Sequence, residues 1–387
     1  MKIIPYSTQW IDESDIGSVN ECLNDEYLTQ GPRVAKFEHE VAEYCGAKYA
    51  VAVNSGTSAL HAACYSAGIM AGDEAITSPV TFVASANCVL YCGGKPVFVD
   101  VQEKTANIDP LEINTKISEK TKAIIPVHYA GQPCDLPEIY RIAQDRNLIV
   151  IEDAAHALGA EYRGEKIGCC SFSDMTILSF HPVKHITTGE GGMVLTNRKD
   201  LYDKLIMFRS HGITKRNVSD DFQGEWYYEM QFLGYNYRMT DIQASLGISQ
   251  LKKLNRFINR RKEIANIYKK VFKDNPYFDL PMEKDCVSHA WHLFPVRLKD
   301  EYVDAKIEIF SRLRKLGLWV QVHYMPIYFH PFYRELGYGK SSCIRAEDFY
   351  RREISLPIYP AMTDENIEHV VQIIIEVFKS IEGGKIF

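Results

Sequence analysis

Lys184 lies in Ser179-Phe-His-Pro-Val-Lys-His-Ile-Thr-Thr-Gly-Glu-Gly-Gly192, between apolar runs that read as strands, Met175–Leu178 and Gly192–Thr196. Pro182 keeps the intervening segment out of a helix, so the lysine sits on a loop. An isolated lysine is ordinarily a solvated surface charge. Three other stretches offer it partners. After Val53, the small-residue turn Asn54-Ser-Gly-Thr-Ser58 leads into a helix. Gly56 there permits close backbone approach, and Thr57 and Ser58 bring hydroxyl and N–H groups to the positive end of that helix. That is a phosphate site or an ordinary N-cap. Phe82 opens the next helix, as a core residue or as a stacking surface. Asp153 follows the apolar strand Leu148–Ile151. A carboxylate at a buried strand end needs a cation or a proton donor. A structural salt bridge would serve, and so would the protonated ring nitrogen of a bound cofactor.

In chain order, a phosphate-type turn, an aromatic, a strand-end Asp153, then Ser179 and Lys184 form the contact set of pyridoxal 5'-phosphate (PLP). The amine of Lys184 would form a Schiff base with the cofactor aldehyde. Asp153 would keep the pyridine nitrogen protonated, and Phe82 would cover the ring face. The phosphate would rest against Thr57, Ser58 and Ser179. Neither G-x-G-x-x-G nor G-x-x-x-x-G-K-[ST] occurs, so dinucleotide and NTP loops do not account for the turn.

The elements that must hold these residues alternate. Short apolar strands at Tyr49–Val53, Glu74–Thr77, Pro96–Val101, Lys122–Val127 and Leu148–Ile151 are interleaved with helices at Ser58–Ala67, Val83–Tyr91 and Leu136–Asp145. Strands apolar throughout, separated by amphipathic helices, predict an α/β fold with a mainly parallel sheet flanked by helices, and ligands bind at the strand ends of such a sheet. Thr240-x-x-Gln243 reads as a capping box opening a helix from Asp241 through Leu251, Leu254 and Ile258. That helix is expected to link a large domain, 1–256, to a smaller C-terminal α/β domain, 257–387. The latter begins with a strand at His292–Leu298, followed by a helix at Ala305–Leu316 and a strand near Trp319–His323. Its last helix starts at Thr363 and carries an apolar stripe from Ile367 to Phe378.

The 387 residues exceed one ordinary core, and a net charge of -6 without like-charge blocks argues against nucleic-acid or anionic-membrane partners. Ten scattered cysteines without a C-x-x-C pair read as reduced thiols, and no metal site is expected. No stretch has signal-peptide or membrane-spanning character, so a cytoplasmic location is expected.

Larger blocks carry a resemblance. Leu-Thr-Gln-Gly-Pro at 28–32, Asn-Ser-Gly-Thr-Ser-Ala-Leu at 54–60, Glu-Asp-Ala-Ala-His-Ala-Leu-Gly-Ala at 152–160, Arg-Ser-His-Gly at 209–212 and Gly-Tyr-Asn-Tyr-Arg-Met-Thr-Asp-Ile-Gln-Ala at 234–244 are similar to the DegT/DnrJ/EryC1/StrS sugar aminotransferases. The resemblance implies a PLP-dependent transferase of fold-type I. It places His156 near a ring oxygen of the cofactor, where many members have glutamine; read alone, His156 is a core histidine. Asn236 would cross a homodimer interface to a neighbour's cofactor phosphate; read alone, it is a polar residue before a capped helix. Tyr6, Gln30, His323, Tyr324 and Tyr328 fall on the substrate side, although an aromatic stripe such as 322–328 also suits a core. Lys184 stands where the dehydratase branch has histidine, which favours transamination.

Leu-Thr-Gln-Gly, Phe-Arg-Ser-His-Gly, Gln-Val-His-Tyr-Met-Pro-Ile-Tyr at 321–328 and Ile-Ser-Leu-Pro at 354–357 resemble the 4-aminotransferase branch of pseudaminic acid biosynthesis. The substrates implied are L-glutamate and a UDP-linked 4-keto-6-deoxy-N-acetyl sugar. Arg209, Arg238 and His181 are candidates for holding the glutamate carboxylates. Two alternatives stand beside this: a sibling 4- or 3-aminotransferase for another nucleotide sugar, and a PLP-binding regulator without turnover.

Overall fold

A computed structural model describes residues 3–215 and 224–384. Six strands run in one direction: β1 Tyr49–Val53, β2 Glu74–Thr77, β3 Lys95–Phe98, β4 Thr121–Ile125, β5 Ile149–Asp153 and β6 Met175–Ser179. β7 Gly192–Thr196 runs antiparallel between β1 and β6, closing the sheet order β1-β7-β6-β5-β4-β2-β3. Buried on both faces, these strands need no polar alternation, which is why they read as continuous apolar runs.

Helices cover both faces: α1 Pro32–Cys45, α2 Gly56–Ser66, α3 Ala84–Tyr91, α4 Leu136–Asp145 and α5 Asp241–Leu251. Successive side chains of a strand point to opposite faces. Val51, Val53, Ile151 and Ile177 accordingly pack with α2 and α3, whereas Ala52, Val150 and Leu178 pack with α1, α4 and α5. Each fully buried valine or isoleucine contributes roughly 1.5–3 kcal/mol to holding these layers.

A second core surrounds an antiparallel sheet of β8 Phe278–Asp279, β9 Phe294–Leu298 and β10 Glu353–Leu356. α6 Leu254–Val271 belongs to both cores. Leu254, Phe257 and Ile258 pack in the large one; Ile264, Ala265 and Tyr268 pack in the second. The expected boundary at 256/257 thus falls on a turn of α6 still buried in the large core.

The capping box at Thr240 and Gln243 forms, but the single helix expected from Asp241 to Ile258 is two, α5 and α6, broken at Lys252–Lys253. Lys253 turns its ammonium onto Asp12 at 2.8 Å and Asp15 at 2.5 Å. Periodicity could not foresee that break, because its partners lie at the other end of the chain. The expected strand near Trp319–His323 shrinks to Leu318–Trp319, paired with Ile4–Pro5. After an isolated bridge between Gln321 and Ser355 the chain leaves sheet geometry and becomes cavity wall. α7 Asp364–Gly384 carries Ile367, Val370, Ile374 and Phe378 into the second core. All ten cysteines are free thiols, seven of them buried. Among the described residues no helix is long and apolar enough to cross a membrane, and no cluster of His, Cys, Asp and Glu could hold a metal ion.

Candidate active site

A cavity of about 480 Å³ opens at the carboxyl ends of the parallel strands. Of the residues singled out from the sequence, Tyr6, Thr57, Phe82, Asp153, His156, Ser179, Lys184, His323 and Tyr324 line it. They arrive from six separate parts of the chain.

Asp153 is the last residue of β5 and its side chain is buried. Its Oδ2 accepts from the Ser85 hydroxyl at 2.6 Å and its Oδ1 from the Ala155 N–H at 3.2 Å. Among the described residues it has no ion pair, so the structural salt bridge is absent. Burial raises its pKa, against the hydrogen bonds from Ser85 and Ala155 and the field of Lys184. Glu152, its neighbour, points to the other face of the sheet. There it meets His128 at 2.8 Å and accepts from Ser173 and Thr176.

Lys184 is partly buried in the cavity wall, and among the described residues its Nζ has neither a hydrogen bond nor an ion pair. Burial lowers its pKa to about 8, with Asp153 opposing and Arg261 assisting. A lysine so placed is partly the free amine near neutrality, the form that attacks a carbonyl. The cavity histidines are neutral for the same reason. Burial holds His156 well below its usual range and takes His323 to about 3, and the field of Lys184 adds to both effects.

The N-terminus of α2 opens onto the cavity. Ser55 caps the helix through the N–H of Ser58, leaving those of Gly56 and Thr57, which have no intrahelical acceptor. Thr57 and Ser179 line the same corner. Two glycines make this corner possible. A Cβ on Gly56 would come within 2.9 Å of the Ser179 Cβ, and one on Gly192 within 2.3 Å of the Ser55 carbonyl oxygen. In the sequence Gly192 is simply the start of a strand; its closeness to Ser55 is a product of β7 pairing beside β1.

Phe82 is 58 % exposed, on the cavity and not in the core, with its ring 6.5 Å from that of Tyr324. His156 Nε2 meets the Tyr324 hydroxyl at 3.3 Å, and its Nδ1 is buried without a partner among the described residues.

Four expected site residues lie off this wall. Ser58 is buried and its hydroxyl donates to Asn54 Oδ1 at 2.6 Å, so it belongs to the cap. Tyr328 is 1 % exposed and is packed through its hydroxyl on Glu347 and the Cys343 N–H. Gln30 and Asn236 are exposed and do not line this chain's cavity. Of the carboxylate candidates only His181 lines it; Arg209 is paired with Glu38. Ser85 and Glu190 were not singled out. Ser85 lies three residues after Phe82 on the same helix start, but nothing local indicates that its hydroxyl reaches Asp153.

The donor set fits PLP. Asp153 is a buried carboxylate with no cation, suited to a protonated ring nitrogen; Lys184 is an unpaired amine, and the helix end can take a phosphate. Phe82 and His156 line the same wall.

Residues 9–375 match the DegT/DnrJ/EryC1/StrS aminotransferase family. A Campylobacter jejuni protein named UDP-4-amino-4,6-dideoxy-N-acetyl-beta-L-altrosamine transaminase is 40 % identical over 385 residues, 99 % of each chain. Helicobacter pylori PseC, an aminotransferase described as involved in the biosynthesis of pseudoaminic acid, superposes with a TM-score of 0.91 at 38 % identity, covering 98 % of this chain and all of that one. The PLP form of a Streptococcus pneumoniae sugar aminotransferase, Spr1654, gives a TM-score of 0.91 at 29 % identity, covering 98 % and 99 %.

Proposed function

The chain belongs to the DegT/DnrJ/EryC1/StrS aminotransferase family, and on that premise we propose that it moves the amino group of L-glutamate to C4 of a UDP-4-keto-6-deoxy-N-acetylhexosamine. The observation that carries the transaminase reading is the pairing, across one cavity, of an unpaired lysine with a cation-free buried aspartate. The choice of sugar rests on the likeness to the C. jejuni transaminase and to PseC.

PLP, when bound, supplies an electron-accepting ring and a carbonyl carbon that carries the amino group between the two substrates. Asp153 holds a proton on the ring nitrogen, with Ser85 fixing its carboxylate. Lys184 is the base and acid that moves the proton between the substrate carbon and its acceptor, a task suited to a pKa near 8. Phe82 would cover one ring face, and Thr57, Ser179 and the free N–H groups of α2 would hold the phosphate. Tyr6, His323 and Tyr324 occupy the substrate side of the wall. The exposed Asn236 serves a second copy's cavity, making the working unit a homodimer.

The deciding experiment is the mass and stereochemistry of the product from purified protein, L-glutamate and UDP-2-acetamido-2,6-dideoxy-beta-L-arabino-hex-4-ulose, with epimeric 4-keto UDP-sugars in parallel. A 4-amino product formed preferentially from the L-arabino substrate is expected; turnover only with another sugar would reassign it to a sibling, and none with any would remove the reading.

A further inference from the structure

His323 is tied to two fully buried residues of β10. Its N–H donates to Glu353 Oε2 at 2.7 Å, its Nδ1 lies 2.8 Å from Ser355 Oγ, and Ser355 Oγ lies 2.5 Å from Glu353 Oε1. The Tyr129 hydroxyl donates to the His323 carbonyl at 2.5 Å, fixing the backbone. Nε2 has no partner among the described residues, on a side chain that lines the cavity.

Only two arrangements of protons satisfy this chain of atoms. Oε2 must accept, because it faces a backbone N–H. With Glu353 ionised, the Ser355 hydroxyl donates to Oε1 and accepts from Nδ1–H, leaving Nε2 as an acceptor. With Glu353 protonated, the proton sits on Oε1 and points at Ser355. The hydroxyl then donates to Nδ1, and Nε2 carries the hydrogen.

We propose that Glu353 and Ser355 are positioning residues that set which ring nitrogen of His323 carries its proton, so that the ionisation of Glu353 decides whether His323 presents a hydrogen-bond acceptor or a donor to the sugar substrate. His323 itself stays neutral, because burial takes its pKa to about 3. Burial also moves Glu353 well above the ordinary carboxylate range, opposed by Ser355, the His323 N–H and the field of Lys306. The Tyr129 and Tyr324 phenols also feel Glu353, and both are held in the neutral form by burial. Arg297, its register partner on β9, directs its guanidinium to Glu103 and Asp279 instead.

The test is nitrogen NMR of histidine-labelled holoenzyme from about pH 6 to about pH 10, with Glu353→Gln and Ser355→Ala. In the wild type His323 changes from Nε2–H to Nδ1–H as Glu353 ionises. In E353Q the amide oxygen must face the backbone N–H and the amide nitrogen must face Ser355, so His323 stays Nε2–H throughout. S355A cuts the link and abolishes the pH-dependent exchange, which keeps the test open should E353Q fold poorly. An unchanging tautomer in the wild type, or the same transition in E353Q, overturns the proposal. The kinetic arm rests on the sugar aminotransferase reading. KM for the keto sugar should differ about tenfold between wild type and E353Q above the transition, where their polarities are opposite, and converge below it. A gap of equal size on both sides overturns the role in substrate recognition. The tautomer is read without substrate, so failure of the sugar assignment and failure of the relay are distinguishable.

Discussion

The Ser85 hydroxyl donates to Asp153 Oδ2 across 2.6 Å, joining the first turn of α3 to the end of β5. Thr81 Oγ1 stands 2.8 Å behind it, so the serine has its own acceptor and donor settled before any ligand arrives. On the proposed role of Asp153 at the ring nitrogen, Asp153→Asn should lower kcat about a hundredfold or more with the fold intact. Ser85→Ala should cost about tenfold in kcat/KM, the scale of one hydrogen bond to a charged group. Steady-state transamination together with thermal melts would check both; an active D153N variant would remove Asp153 from the mechanism.

Lys184 in the apoprotein deprotonates at about 8 in place of its ordinary 10.5. The rate of PLP uptake should therefore climb through pH 8 and level off, not continue rising towards 10.5. The linkage has a definite sign: the folded protein binds fewer protons than the unfolded chain between these values, so apoprotein stability gains from this group as pH rises from about 8 to 10.5. Lys184→Met should abolish turnover and, below pH 8, raise the apoprotein melting temperature, with the advantage shrinking at higher pH. A pH-independent difference would contradict the buried-ammonium account.

Glu152 serves stability. Burial opposes its ionisation, yet His128, Ser173 and Thr176 hold its pKa below 4.5. Its contribution is then complete above the unfolded carboxyl value and lost as pH falls through the lower folded one. His128→Ala leaves a buried carboxylate without its partner and should cost about 3–5 kcal/mol in urea unfolding of the apoprotein. Its effect on kcat should be small in comparison.

Gly56→Ala would press a methyl group to 2.9 Å from Ser179. Equilibrium dialysis should show PLP affinity weakened about tenfold, with a melting temperature close to the wild type. Unaltered affinity would move the phosphate away from this helix end.

Asn236 and Lys184, on the dimer reading, serve different cavities. Inactive Lys184→Ala and poorly active Asn236→Ala proteins, mixed and reassembled, should regain activity, because one site of each mixed dimer carries both native residues. Absence of recovery in verified mixed dimers would place Asn236 outside the site.

The sequence alone determined which chemistry was at hand. Lys184, Asp153 and the Asn54–Ser58 turn were legible because strand ends and helix starts are local signals, written in apolar runs, glycines and small hydroxyls. Tertiary structure decided which of two similar neighbours faces the cavity. Asp153 faces the cavity and Glu152 the opposite layer through alternation along β5; Thr57 lines the corner while Ser58 turns to Asn54 through the geometry of the cap. Tyr324 lines the wall, whereas Tyr328 is sealed by Glu347. The links from Ser85 to Asp153 and from Glu353 through Ser355 to His323 join residues on separate elements. No local pattern encodes such contacts, because they exist only once the sheet has set its order and register.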